Sequence, residues 1–257
     1  MNTLFSVTQL SKHFGGLTAV DNIQLHIQEG HIYGLIGPNG AGKTTTFNLI
    51  TGLYTPDSGQ FVFKGQSFFP HSPSAVANLG IARTFQNIRL FKSMTVSENV
   101  AVGMHTQTHA GLLGAVLRTP SQRAEEQHIR NRCQELLDYV GIGGYGHYLA
   151  SELSYGDQRR LEIARALASN PSLLALDEPA AGMNGTEKRQ LRELFLRIAR
   201  DGKTLLLIEH DVKLVMGICN EITVLDYGKV IAQGNPQSIQ NNPAVIQAYL
   251  GGLQHAH

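Results

Sequence analysis

Apolar and polar positions alternate over residues 4–9 and 22–28, the period of half-buried strands. Three continuous apolar runs of strand length follow at 32–36, 172–176 and 204–208. Runs of this kind suit strands buried on both faces, as in a parallel sheet. Residues 59–65 form a further short strand bounded by glycines, and residues 221–233 predict a hairpin turning at Asp226-Tyr227-Gly228-Lys229. Helical segments lie between the strands, and a last short helix is expected over 243–250. From about 88 to 160 the period changes: Val96, Val100 and Val102, then Leu136, Leu137 and Val140, repeat as on helices. The expectation is one α/β domain over 1–257, with a mostly parallel sheet core from 1–87 and 161–257 and an inserted helical lobe at 88–160. Within the lobe, Gly111-Leu112-Leu113-Gly114 is apolar and small, and reads as a buried helix turn ahead of a contact surface.

The strand at 32–36 leads into Gly37-Pro38-Asn39-Gly40-Ala41-Gly42-Lys43-Thr44, and a helix is expected over 43–53. This is G-x-x-x-x-G-K-[ST] in the strand–loop–helix context that makes it a phosphate cradle. Gly37, Gly40 and Gly42 let several backbone N–H groups face one point. The helix N-terminus adds partial positive charge there. Lys43 reaches β- and γ-phosphates and Thr44 is a Mg²⁺ ligand, with Thr45 beside it as a further nucleotide contact. A second apolar strand, Leu173-Leu174-Ala175-Leu176, ends in Asp177-Glu178. Asp177 fits the acid that holds the Mg²⁺ shell, and Glu178 is placed to act as general base toward an attacking water. ATP and Mg²⁺ are the expected ligand and cofactor.

Composition narrows the partners more than the fold. The 257 residues carry 21 basic and 20 acidic side chains, a net charge of +1, so bulk electrostatics gives no reason to expect nucleic acid. The two cysteines, Cys133 and Cys219, have neither zinc spacing nor a disulfide framework, and read as small hydrophobes. No signal peptide is legible over residues 1–9, and no apolar run approaches the ~20 residues of a spanning helix.

Other segments gain meaning through a family resemblance. Leu153-Ser154-Tyr155-Gly156-Asp157 precedes a helical run and physically is a capped helix start, an anion site. It resembles the LSGGQ signature of ABC ATPases and stands ahead of the strand acid as that signature does. The resemblance implies the P-loop NTPase (RecA-like) fold with an antiparallel β subdomain. It implies a Q-loop role for Gln86, contacting Mg²⁺ or water and moving with the helical lobe. It also implies a switch role for His210, adenine stacking for Phe14, and a D-loop at Ala180-Ala181-Gly182-Met183-Asn184. Ser154 and Gly156 then bind nucleotide held by a second cassette, paired head to tail. The chain departs from the pattern at Tyr155, where Gly is usual, at Asp157, where Gln is usual, and at Asn184, where Asp is usual. Tyr155 has no steric licence for positive φ, so an αR or β backbone is expected there. The loss of charge at Asn184 implies a weaker or asymmetric contact across the pair.

The segments Phe14-Gly15-Gly16-Leu17-Thr18-Ala19-Val20 and Arg83-Thr84-Phe85-Gln86-Asn87-Ile88-Arg89-Leu90-Phe91, the insert around 105–127 and the tail at 242–251 resemble one subfamily most. It is the ATP-binding subunits of branched-chain (hydrophobic) amino acid importers, of the G type. That implies two transmembrane permease subunits, a periplasmic or extracellular substrate-binding protein, and a peripheral place on the cytoplasmic face of the inner membrane. A urea or short-amide importer and lipopolysaccharide export are the alternatives within transport. A non-transport ABC ATPase is the alternative outside it. A small-metabolite P-loop kinase would lack both the signature and the switch histidine.

Overall fold

The computed structural model describes residues 2–104 and 120–251. The Gly111–114 stretch, and most of the insert that carried part of the resemblance, lie outside the described residues. The chain divides into two compact units, Met1–Arg83 with Ser172–His257, and Thr84–Pro171. Periodicity drew the inserted lobe at 88–160; the compact unit takes in Thr84 to Gln86 and the whole helix that follows Ser154.

In chain order the first unit begins with β1 (Thr3–Phe14), β2 (Leu17–Gln28), β3 (Ile32–Ile36), α1 (Lys43–Ile50), β4 (Ser58–Phe63), β5 (Gln66–Phe68), α2 (Pro73–Asn78) and β6 (Ile81–Arg83). The second unit holds α3 (Val96–Gly103), α4 (Pro120–Val140) and α5 (Tyr155–Ala168). The first then resumes with β7 (Leu173–Asp177), α6 (Gly185–Arg200), β8 (Thr204–Ile208), α7 (Val212–Ile218), β9 (Glu221–Asp226), β10 (Lys229–Gly234), α8 (Pro236–Gln240) and α9 (Pro243–Gly251).

Two sheets result. One is antiparallel, in the order β2-β1-β4-β5; the other runs β10-β9-β3-β8-β7-β6, parallel except for the β9–β10 hairpin. Every residue of β3, β7 and β8 is buried, as continuous apolar runs require of central parallel strands. Phe47, Leu49 and Ile50 of α1 share one core with Phe5, Leu25 and Phe61 of the first sheet and Leu35, Leu206 and Ile208 of the second. The helix following β7 shows how sequence sets packing: Leu191, Leu194, Phe195 and Ile198 recur at helical spacing on α6 and are the residues it buries.

Some expectations shift. The helix expected over 43–53 ends at Ile50, because the chain turns left-handed at Gly52 (φ +73°). In the helical unit Val96 and Val100 are buried, but Val102 lies off their face and is 39% exposed. Leu136, Leu137 and Val140 are buried as expected, and so are both cysteines, which are free thiols. Burial pushes both thiols above the ordinary cysteine range.

Candidate nucleotide site

The phosphate loop is built by β3, a fully buried central strand from whose carboxyl end it leaves, and by α1, which begins at Lys43. Two of its glycines are required. Gly37 has φ +152° and a Cβ there would run into the Leu225 carbonyl; Gly42 has φ +94° and a Cβ there would lie 2.5 Å from Ala19 O. Gly42 is also the residue from which α1 starts, with no side chain capping the helix, so its first N–H groups face outward. Lys43 Nζ donates to Gly37 O (2.7 Å) and Pro38 O (2.8 Å), holding the amine over the loop. Burial pushes that amine below its ordinary value, and the Glu178 and Asp177 carboxylates pull it back up. The end of β7 therefore acts electrostatically on the phosphate-loop lysine.

Asp177 pairs in register with Ile208, so the loops after β7 and β8 leave the sheet side by side. Asp177 is buried, whereas Glu178 is half-buried and stands at φ +45°, a left-handed backbone that costs a non-glycine residue about 1 kcal/mol or more. His210, 58% exposed, brings Nδ1 to 3.6 Å from Glu178 Oε2. The two groups singled out as base and switch thus meet within the first unit.

The residues fit a magnesium ion of the phosphate-bound kind. Among the described residues no group of three or more His, Cys, Asp or Glu side chains forms an all-protein metal cage. One carboxylate, Asp177, and one hydroxyl, Thr44 at the exposed start of α1, are what an ion needs when phosphate oxygens complete its shell. Thr45 follows Thr44 on α1, half-buried.

Phe14 is not a core aromatic. It is 45% exposed at the end of β1, its ring edge-on to Tyr54 at 5.6 Å with Lys12 Nζ 5.5 Å from its centroid. The ring is thus presented at the surface and held there by a second aromatic. A cavity of about 560 Å³ lies against the loop, lined by Pro38, Asn39, Gly40 and Ala41, by Asp226 and Tyr227 of the β9–β10 turn, by Ile231 and by α9. Lys43, Thr44, Asp177 and Glu178 do not line it.

The helical unit carries the other expected residues. Ser154 caps α5, accepting from Asp157 N–H (3.2 Å) and donating to Asp157 Oδ2 (2.7 Å). Tyr155 is the first residue of the helix, so its backbone is αR as its side chain demands. Gly156 is buried in the same turn and Gln86 is exposed. One turn into α5, Arg159 is fully buried and donates to Glu162 (2.7 Å), to Phe85 O (2.7 Å) and to Gln86 O (2.8 Å). Glu162 accepts from the Phe85 and Arg89 N–H groups (3.3 and 3.5 Å). The backbone around Gln86 is thereby held by the helix that Ser154 caps.

A sequence profile described as "ABC transporter" matches residues 20–181, more than half of the chain. The chain belongs to the ABC transporter family. A second profile, described as "Branched-chain amino acid ATP-binding cassette transporter", matches residues 229–253. The cassette is 47% identical over 249 residues to the high-affinity branched-chain amino acid transport ATP-binding protein LivG of Escherichia coli (strain K12), covering 96% of this chain and 98% of LivG. It is 42% identical to BraF of Pseudomonas aeruginosa, of the same description, with the same coverage. The crystal structure of the ADP conformation of MJ1267, an ATP-binding cassette of an ABC transporter, superposes with a TM-score of 0.85 at 29% identity, covering 98% of this chain and 100% of MJ1267. The cassette is thus a P-loop ATPase subunit of a transporter, and it binds nucleotide. Among its described residues no helix is long and apolar enough to cross a membrane.

Sequence reasoning passed over Arg159, Glu162, Tyr54 and Glu209. Glu209 carried a signal: an acid directly after an apolar strand, the arrangement that drew attention to Asp177-Glu178. Arg159 and Glu162 look in sequence like a solvent-exposed i,i+3 pair.

Proposed function

We propose that this cassette hydrolyses Mg·ATP to power an importer of branched-chain amino acids. The observation that carries the hydrolytic reading is the approach of His210 to Glu178 (3.6 Å) at the strand edge whose carboxylates act on Lys43. Glycine-loop N–H groups and Lys43 bind the β- and γ-phosphates, and Phe14 stacks on adenine. Thr44 and Asp177, with Gln86 as the further ligand the resemblance implies, would hold a magnesium ion, which would supply positive charge to the phosphate oxygens. Glu178 takes a proton from the attacking water and His210 donates toward the γ-phosphate. Ser154 and Gly156, on the α5 N-terminus, serve nucleotide bound by a second cassette paired head to tail. Two permease subunits tie the pair to the cytoplasmic face of the membrane, and a binding protein outside delivers the cargo. The cargo rests on the resemblance to LivG and BraF.

Glu178→Gln keeps shape and removes the base. It is expected to leave ATP binding intact and to lower turnover by roughly 10²–10⁴. Steady-state ATPase beside equilibrium nucleotide binding reads both, and near-normal turnover would sink the assignment. For cargo, uptake of labelled leucine, isoleucine and valine by the reconstituted transporter is expected to exceed that of urea; the reverse order would replace the substrate class.

A further inference from the structure

Glu209 is fully buried at the end of β8, where a carboxylate is costly unless its oxygens are satisfied. They are satisfied by backbone from both loops of the site. Oε1 accepts from Ala180 N–H at 2.9 Å, in the loop after β7. Oε2 accepts from His210 N–H at 3.2 Å and from Asp211 N–H at 3.4 Å, in the loop after β8. The two carboxylate oxygens, pointing to opposite sides, reach one loop each; an amide in the same place would turn an NH2, which cannot accept, toward one of them.

The two held segments carry the groups that matter. Ala180 follows Glu178-Pro179. Pro179 has no N–H to give, so Ala180 supplies the first backbone donor after Glu178, whose own backbone is left-handed at φ +45°. Ala181 N–H closes the turn onto Glu178 O at 3.1 Å. On the other side, His210 is bonded to Glu209 by its own N–H. A second tie, Lys188 Nζ to Asp211 Oδ2 at 2.7 Å, links α6 to the cap of α7 behind the same two loops.

We propose that Glu209 is a positioning residue for hydrolysis: its one buried carboxylate fixes the backbone on both sides of the gap, and so sets Glu178 and His210 against each other. The proposal rests on the reading of that pair as base and γ-phosphate contact. It predicts a loss in kcat without a loss in nucleotide affinity, because the phosphate loop is held independently through β3 and Lys43.

The test uses the purified full-length chain. Glu209→Ala is expected to lower kcat about 10²-fold, the scale of a small misplacement of reacting groups, with the ATP dissociation constant unchanged. Glu209→Gln retains one acceptor oxygen and is expected to fall between Ala and wild type. In a cycle with His210→Ala, the double variant is expected to be little slower than His210→Ala alone, because both remove the same contact. If Glu209→Ala does not fold, Glu209→Gln carries the test, and wild-type kcat in it overturns the proposal. Losses in Glu209→Ala and His210→Ala that simply multiply, or a weakened ATP affinity at unchanged kcat, also overturn it. Normal turnover in Glu178→Gln or His210→Ala alone overturns the reading of the pair, and the proposal with it. Loss in those two with normal Glu209 variants overturns the proposal only.

Discussion

Replacing Arg159 by Met tests whether the buried ion pair of the helical unit is held in place by its own geometry. Arg159 and Glu162 are 0% and 1% exposed and meet at 2.7 Å. Removing the cation strands a carboxylate in the interior and takes the donors from Phe85 O and Gln86 O. Breaking one side of a buried pair costs about 3–5 kcal/mol. At roughly 2–4 °C per kcal/mol for a chain of this size, the midpoint is expected to fall by about 6–20 °C. The double variant Arg159→Met/Glu162→Leu removes both charges and refills the space with apolar atoms of similar bulk. Buried pairs replaced in this way are often neutral in stability, so most of the loss is expected to return. Calorimetry of wild type, both single variants and the double variant measures the coupling directly. A drop of less than about 1 kcal/mol in Arg159→Met, or a double variant no better than the single, would refute the reasoning. The double variant also separates stability from function. Its fold is restored while the backbone around Gln86 has lost its ties to α5. Under the proposed function, its ATPase in the assembled transporter is expected to lose stimulation by cargo.

Three further outcomes are expected. Gly42→Ala forces a Cβ to within 2.5 Å of Ala19 O at φ +94°, whereas Gly40→Ala at φ +81° meets nothing within 4 Å; ATP binding and urea midpoint are expected to fall further for Gly42→Ala, and equal losses would remove the steric argument. The bond from Lys12 Nζ (2.7 Å), followed by that from His13 N–H (2.6 Å), holds the Asp57 carboxyl down from 3.8 to about 2. A lowered folded value gives stability above the unfolded value that is lost as pH falls through the folded one. Wild type and Asp57→Asn are therefore expected to differ above about pH 4 and to converge near pH 2, as read by urea titrations across that range. Phe91 is 48% exposed and Ile88 and Leu90 are half-buried in the segment after Gln86; Leu90→Asp with Phe91→Asp is expected to lower uptake in the assembled transporter while ATPase of the isolated chain persists, and unchanged uptake would remove a coupling role for that segment.

The parts of the molecule legible in sequence were those with a local signal. Strands β3 and β8 match the expected runs residue for residue, Thr204 opening the second, and β7 is displaced by one to end on Asp177, because burial on both faces favours mainly apolar side chains. The long hairpin was half legible. Alternation was clear over 4–9 and 22–28, but β1 and β2 continue to Phe14 and from Leu17, through register shifts at Val7/Leu10, Leu10/Lys12 and Lys12/His13. Each irregularity slips the facing of the strand and erases the period that marks it. The short β5 and β6 span three residues each, too few to show any period. The phosphate loop and the Asp177-Glu178 strand end were readable because each is one continuous segment. Glu209 and the Arg159–Glu162 pair were not, because their meaning lies in which distant backbone they touch.

The departures from the family pattern follow from helix physics at the same positions. Asn184, where Asp is usual, caps α6: its Oδ1 accepts from Thr186 and Glu187 N–H at 2.9 and 3.0 Å, and Glu187 returns a bond to the Asn184 N–H. Asn and Asp serve equally as N-caps, so the fold tolerates the exchange and only the charge at this exposed loop changes. Tyr155 occupies the first turn of α5 with an αR backbone, a position open to any side chain, so the usual glycine is not required there by conformation. Its hydroxyl instead lies 3.4 Å from the buried Arg159 guanidinium, giving a residue beside Ser154 a contact with the group that holds the Gln86 backbone. Asp157 is the departure with a functional edge. Its carboxylate takes the Ser154 hydroxyl and sits in the first turn of the helix, where the dipole favours an anion. The same hydroxyl and the same dipole are what a phosphate at this helix end would use. Under the proposed function, local capping and nucleotide contact would therefore draw on one set of donors, and Arg160, with Nε 4.0 Å from Asp157 Oδ1, is a nearby cation that offsets the carboxylate's charge.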